Sequence, residues 1–217
     1  MSLPLGETAP DFTLDSTQGS LHFAAYARDH WVVLFSHPKD FTPICTTELA
    51  AFACRKPEFD ARGARLLGLA VDPVEDHHRW AKDIADVAGA ELNYPILADP
   101  ELALAKLYGM IHPKADPKVT VRSVFFIDPE RKVRTTLIYP PSVGRSIDEI
   151  LRTLDALQLT GRLPVATPVE WRPGDDVVVS PKLADAEAAA RFGELRKLKP
   201  YLRFAKAGAK TGKAKAA

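Results

Sequence analysis

Two stretches of the chain are apolar without interruption by charge, residues 31–35 and 66–71. Each has the length of a strand covered on both faces, and each is far short of the roughly 18 residues that cross a bilayer. They predict strands over 31–36 and 64–71. Between them the period changes. Thr42 stands where an N-cap belongs, Pro43 suits the first helical position, and Leu49, Phe52 and Ala53 follow at helical spacing. Pro57 is expected to bend or break that helix. After the second strand, Asp72-Pro73-Val74-Glu75 reads as N-cap, N1, N2 and N3, with a carboxylate placed to reach back. The helix it opens carries Val74, Trp80, Ile84 and Val87, with Trp80 read as core, and Gly89 closes it.

Weaker patterns flank this β-α-β-α unit. Residues 11–14 and 21–23 predict two short strands around a turn at Gly19. Residues 94–98 predict a strand, and 100–108 a helix stopped by Gly109. Strands over 119–127 and 133–139 are joined by Asp128-Pro129-Glu130-Arg131-Lys132, short enough for an antiparallel hairpin. Ser146-Ile147-Asp148-Glu149 is a capping box ahead of the stripe Ile147, Ile150, Leu151, Leu154 and Leu157, with Gly161 past its end. The order βαβ then ββα predicts an α/β fold, a thioredoxin-like sandwich with an N-terminal hairpin and a C-terminal extension. Beyond Gly161, Pro164, Pro168, Pro173 and Pro181 punctuate the chain, with one strand candidate at 177–179. The expected organisation is 1–160 for the sandwich, 161–205 for a dimerisation subdomain and 206–217 for a basic flexible tail. The extension looks too broken by proline to bury its apolar groups alone. That predicts a homodimer or higher homo-oligomer, with the extension in the interface.

Composition adds limits. With 217 residues, 46% of them apolar and 26% charged, the chain is globular. Its net charge of +1 conceals an asymmetry, because residues 195–217 hold eight Lys or Arg and no acid. A basic end of this kind attracts nucleic acid or anionic lipid in some proteins. Without an apolar face or interleaved aromatics after Phe204, it reads here as a solvated terminus, and no nucleic-acid partner is expected. The first ten residues have neither a basic nor an apolar signal region, and the only cysteines are Cys45 and Cys54. The expectation is a reducing cytoplasm without a disulfide scaffold. Glycine-rich phosphate loops, zinc-binding spacings, Cys-x-x-Cys and Gly-x-Ser-x-Gly are all absent. His77 and His78 point about 100° apart on a helix and read as surface residues. Neither a metal nor a cofactor is expected.

The remaining chemistry is concentrated in Pro38-Lys39-Asp40-Phe41-Thr42-Pro43-Ile44-Cys45. A buried strand ends at His37, a loop turns, and Cys45 falls in the first turn of a helix. Unpaired N–H groups and the positive end of the helix dipole favour anionic sulfur there, and the thiolate is the nucleophilic form. The same N–H groups can hold a polar oxygen beside it. A lone cysteine is also, commonly, a small buried hydrophobe.

The pattern P-x3-T-x2-C, within Phe35-Ser36-His37-Pro38 and Cys45-Thr46-Thr47-Glu48-Leu49, resembles the active-site segment of the peroxiredoxins, the 1-Cys subgroup in particular. The resemblance extends through Val71-Asp72-Pro73-Val74-Glu75-Asp76-His77, Val121-Arg122-Ser123-Val124, Gly144-Arg145-Ser146-Ile147 and Val165-Ala166-Thr167-Pro168. It implies a thiol-dependent peroxidase that reduces hydrogen peroxide and organic hydroperoxides. Cys45 would attack the distal peroxide oxygen. Thr42 would hold sulfur and peroxide through its hydroxyl while capping the helix. Pro38 would shield the pocket, and Arg122 would stabilise the thiolate and the developing charge. Glu48 and Arg145 match positions that orient this arginine, and His37 matches one beside the thiol.

No cysteine follows Cys54, so the distant resolving cysteine of the 2-Cys members is missing. On one helix, nine residues place Cys54 about 13.5 Å from Cys45, against a disulfide limit of about 7 Å. Cys54 therefore reads as buried structure, and the sulfenic acid would need an external thiol reductant, glutathione or a thioredoxin-like protein. A disulfide reductase is disfavoured by the missing Cys-x-x-Cys. The alternative is a redox-sensing or chaperone-like assembly switched by Cys45 oxidation.

Overall fold

A computed structural model describes residues 3–207. The chain divides into two compact units, Met1–Ile147 and Asp148–Ala217.

The first unit begins with β1 (Thr13–Ser16) and β2 (Gly19–His22), followed by the single-turn helix α1 (Phe23–Tyr26) and β3 (Trp31–Ser36). Next come α2 (Pro43–Asp60), β4 (Ala64–Ala70), α3 (Val74–Ala88), β5 (Ile96–Ala98) and α4 (Ala103–Leu107). The unit closes with β6 (Arg122–Ile127) and β7 (Val133–Tyr139). Its seven strands lie in the order β2-β1-β5-β4-β3-β6-β7. Strands β3, β4 and β5 are parallel, and β6 runs antiparallel to both β3 and β7. β3 lies inside this sheet, between β4 and β6, which is why residues 31–35 are all apolar. Val32 and Leu34 enter one core with Phe23, Tyr108 and Phe125. Phe35, on the alternate face, stacks on Phe52 of α2 at 4.0 Å between ring centres.

Helix α2, expected to bend or break at Pro57, is not broken there and continues to Asp60. A helical proline deprives the carbonyl four residues earlier of its donor. That carbonyl, on Ala53, accepts instead from Asn93 Nδ2 at 3.0 Å. The start of α3 also differs from expectation. Pro73 is the N-cap, and no side chain caps the helix. Asp72 instead turns its carboxylate to the Asp40 N–H, at 3.1 Å. Gly89 closes α3 in the left-handed conformation that a side chain resists, as read from sequence.

The second unit contains most of α5 (Ile147–Arg162), then β8 (Val165–Ala166), β9 (Asp176–Val179), α6 (Asp185–Phe192), β10 (Arg196–Lys199) and β11 (Leu202–Lys206). Gly161, expected past the end of α5, lies inside it. The strands form a four-stranded sheet, β10-β11-β9-β8. Despite its prolines the extension has a core of its own, in which Trp171, Val177, Val179, Ala188, Phe192 and Ala205 pack together. The basic segment is likewise structured as far as Lys206. Arg196 and Lys206 pair with Asp176, and Lys197 and Arg203 with Asp185. The remainder of the expected tail, 208–217, lies outside the described residues.

Candidate active site

β3 ends at Ser36, and the segment 37–42 leads from its C-terminal end to α2. Phe41 takes the left-handed conformation, φ 55°, an uncommon state for a bulky side chain. Thr42 follows at the N-cap and Pro43 opens the helix, so Cys45 stands in the first turn, as the sequence implied. The hydroxyl of Thr42 does not cap the helix. It donates to the Lys39 carbonyl at 2.8 Å, which fixes the rotamer and leaves oxygen lone pairs to accept a further bond. Pro38 is buried within this segment.

Cys45 is 1% exposed. Arg122, at the start of β6, directs Nη1 to Cys45 Sγ at 3.3 Å and to Glu48 Oε2 at 2.6 Å. Its Nε and Nη2 donate to the Pro141 carbonyl at 3.0 and 2.8 Å, which holds the guanidinium plane. Glu48, one turn along α2 from Cys45, also accepts from Arg145. The Arg145 N–H and Nε reach Oε1 at 2.7 and 2.9 Å, and Nη2 reaches Oε2 at 2.7 Å. Arg145 is further held by the carbonyls of Ser36 and Ser123 and lies over the rings of Phe35 and Phe52. Two buried guanidiniums thus share one buried carboxylate. Burial pushes the Glu48 pKa up, but the bonds and charge of Arg145, then the charge of Arg122, outweigh it and hold the pKa below the ordinary carboxylate range. The sum is one surplus positive charge, which an anionic sulfur at Cys45 brings to zero.

His37 and Asp40, on the same segment, are buried with His77 of α3. His77 was read as a surface residue. It is fully enclosed, with Nδ1 at 2.5 Å from Asp40 Oδ2 and Nε2 at 3.2 Å from the Leu97 carbonyl. His37 Nε2 meets Asp40 Oδ1 at 2.8 Å. Burial holds His37 below the usual histidine value despite Asp40. For Asp40, burial is outweighed by hydrogen bonds from His37 and His77, which hold it low. Trp80, read only as core, tilts against His37 and donates Nε1 to Thr46 Oγ1 at 3.2 Å, beside Cys45. Asp40 could have been suspected from its place in the loop. Nothing in the order of residues joined it to His77, which lies 37 positions away.

Cys54 is exposed, correcting its reading as buried structure, and its thiol faces the Ala88 carbonyl at 3.3 Å. It lies on the same α2 as Cys45, so the separation inferred from nine residues of helix stands. Among the described residues no cluster of His, Cys, Asp or Glu could hold a metal. Among the described residues no helix is long and apolar enough to cross a membrane.

Comparison with known proteins agrees with this geometry. Residues 5–136 match the AhpC/TSA family, and residues 156–195 match the C-terminal domain of 1-Cys peroxiredoxin. A 1-Cys peroxiredoxin of Dictyostelium discoideum is 48% identical over 93% of this chain and 84% of its own. The structure of the yeast mitochondrial 1-Cys peroxiredoxin, whose thiol is resolved through glutathione/thioredoxin systems, superposes with a TM-score of 0.89. It is 46% identical and covers 94% of this chain and 99% of its own. A peroxiredoxin 6 of Arenicola marina gives a TM-score of 0.91 at 39% identity, covering 97% of this chain and 100% of its own. The chain belongs to the AhpC/TSA family and, within it, to the 1-Cys peroxiredoxins, which are thiol peroxidases.

Proposed function

We propose that Cys45 is the peroxidatic nucleophile and that the substrates are hydrogen peroxide and organic hydroperoxides. The observation that carries this reading is the 3.3 Å approach of Arg122 Nη1 to a buried Cys45 Sγ, inside a cluster with one unbalanced positive charge. The sulfur attacks the distal oxygen. The S–O bond forms, the O–O bond breaks, and its electron pair leaves on the proximal oxygen, which takes up a proton to give alcohol or water. Arg122 stabilises the sulfur before attack and the departing oxygen during it, a preorganised cation in a site closed to water. Glu48 and Arg145 hold Arg122 in place. Thr42, its rotamer set by Lys39, accepts a hydrogen bond from the entering peroxide. Pro38 excludes water, and His37 acts beside the thiol.

The resulting sulfenic acid is reduced by an external thiol. Glutathione or a thioredoxin-like protein is the proposed reductant, in keeping with the systems that act on the yeast relative. The proposed working form is a homodimer or higher homo-oligomer in the cytoplasm, with residues 161–205 contributing to the interface.

To test this reading, reduced protein is mixed with one equivalent of peroxide and the cysteine peptides are weighed, then candidate thiols are added. One added oxygen on the Cys45 peptide, removed by a thiol over many cycles, is the expected result. Oxidation that appears first on Cys54 would overturn the assignment. A single round that no thiol reverses would make the protein a sensor rather than a peroxidase.

A further inference from the structure

Thr46 follows Cys45 and presents its hydroxyl to two partners. An indole N–H can only donate, so at the 3.2 Å contact with Trp80 Nε1 the Thr46 oxygen accepts. Its single hydrogen goes to the Thr42 carbonyl, at 2.8 Å. The same carbonyl accepts from the Thr46 N–H at 3.0 Å. Thr42 is therefore held twice, at its carbonyl by Thr46 and at its side-chain hydroxyl by the Lys39 carbonyl. Trp80 is fully buried, with its ring tilted against His37 at 5.2 Å and Phe41 at 6.2 Å between ring centres. One side chain of α3 thus touches the end of β3, the segment that leads into α2 and, through Thr46, the first helical turn.

We propose that Thr46 and Trp80 are positioning residues for the peroxide: Trp80 orients the Thr46 hydroxyl, and that hydroxyl fixes the Thr42 N-cap so that the lone pairs of Thr42 Oγ1 meet the incoming hydroperoxide at a set angle. This rests on Cys45 as nucleophile and on Thr42 as the group that accepts from the peroxide. The helix itself does not require the arrangement. The Thr46 N–H alone satisfies the Thr42 carbonyl, and a threonine hydroxyl turned back on the preceding turn slightly destabilises a helix. A second bond, oriented by a donor 34 positions away along the chain, fixes the direction of that carbonyl as well as its pairing. A reacting group displaced by a small distance loses rate even when it is still present. The Thr42 hydroxyl gives its one hydrogen to Lys39 and none to sulfur. The pair therefore acts on the substrate oxygen, while ionisation of the Cys45 thiol stays with Arg122.

Two quantities, measured together, test the proposal: the rate of Cys45 oxidation by hydrogen peroxide and the titration of the Cys45 thiol. The variants are Thr46→Val, Thr46→Ser and Trp80→Phe, with Thr42→Val as reference, all in a Cys54→Ser background so that a single thiol titrates. Thr46→Val keeps the shape and loses the hydroxyl. It is expected to slow oxidation by roughly threefold to tenfold, the scale of one hydrogen bond, and to leave the titration unmoved. Trp80→Phe keeps an aromatic ring in the core and loses the donor, and it should act in the same direction. Thr46→Ser, which keeps the hydroxyl, should retain most of the wild-type rate. Thr46→Val protein that oxidises at the wild-type rate overturns the proposal. So does a loss of rate matched by a shifted titration, because the effect would then run through the sulfur. If Thr46→Val does not fold, Trp80→Phe and Thr46→Ser decide by the same criteria. The reference variant separates the claims. A slow Thr42→Val beside a Thr46→Val at the wild-type rate removes Thr46 and Trp80 and leaves the role of Thr42 standing. A Thr42→Val that reacts like wild type overturns the role of Thr42, and that of its two supports with it.

Discussion

At Glu48 one carboxylate accepts from two guanidiniums, and both its depressed titration and its placement of Arg122 follow from that. Removing the charge with Glu48→Gln leaves two buried cations facing each other. Breaking a buried pair in this way costs about 3–5 kcal/mol, so the midpoint of chemical denaturation should fall markedly. The pH dependence has a definite sign. Glu48 and Asp40 are held below the ordinary carboxylate range, so their stabilisation is complete above that range and disappears as pH falls through and below it. His37 is also depressed, being buried. The unfolded chain takes up its proton near pH ~6.5, so the folded state begins to lose His37's contribution below that point. Denaturation between neutral and mildly acidic pH should show stability declining first through His37 and then through the carboxylates. A flat profile would mean these groups titrate alike in both states. For Arg122 the expectation is kinetic. Arg122→Gln should slow Cys45 oxidation by roughly a hundredfold, the scale for one preorganised donor. Arg122→Lys should restore part, because an ammonium lacks the planar fork that reaches sulfur, Glu48 and Pro141 at once. Stopped-flow rates that overlay wild type would remove Arg122 from the reaction.

Among the elements, β3 and β4 were legible because strands covered on both faces leave long apolar runs. The turn into α2 was legible because Thr42, Pro43 and Cys45 suit a helix start without reference to anything distant. What the sequence hid depends on remote partners. Pro57 does not end α2 because Asn93 satisfies the carbonyl it strands. Asp72 does not cap α3 because the Asp40 N–H competes for its carboxylate. His77 looked like a surface residue because the carboxylate and carbonyl that enclose it come from the 37–42 segment and from β5. The geometry of α2 carries a chemical expectation. Cys45 and Cys54 share one continuous helix, so they cannot bridge without unwinding it. Excess peroxide should therefore drive Cys45 to sulfinic and sulfonic acids. Intact-mass spectra that show loss of two hydrogens and no added oxygen would contradict the expectation.

For the whole molecule, the order of strands and helices pointed to the fold of the first unit, while most of the second unit escaped notice. Its strands are short, and β10 is exposed along its length, so neither leaves a periodic apolar signal. The second unit closes its own core, which weakens the argument that it needs a partner to bury its side chains. It still exposes Val169 at 90%, Tyr201 at 69% and Leu198 at 53%, and these are the groups a partner subunit would cover. Light scattering of the full chain at micromolar concentration should give at least a dimer, and deletion of residues 162–217 should reduce the mass to that of a monomer. A full-length monomer would end the proposal, and a truncated dimer would move the interface to the first unit. The central claim, that one cysteine does the chemistry, is tested most directly by peroxide consumption in the two single mutants with a thiol reductant present. Cys45→Ser should abolish rapid turnover and Cys54→Ser should leave it near wild type; comparable loss in both would contradict the one-cysteine account.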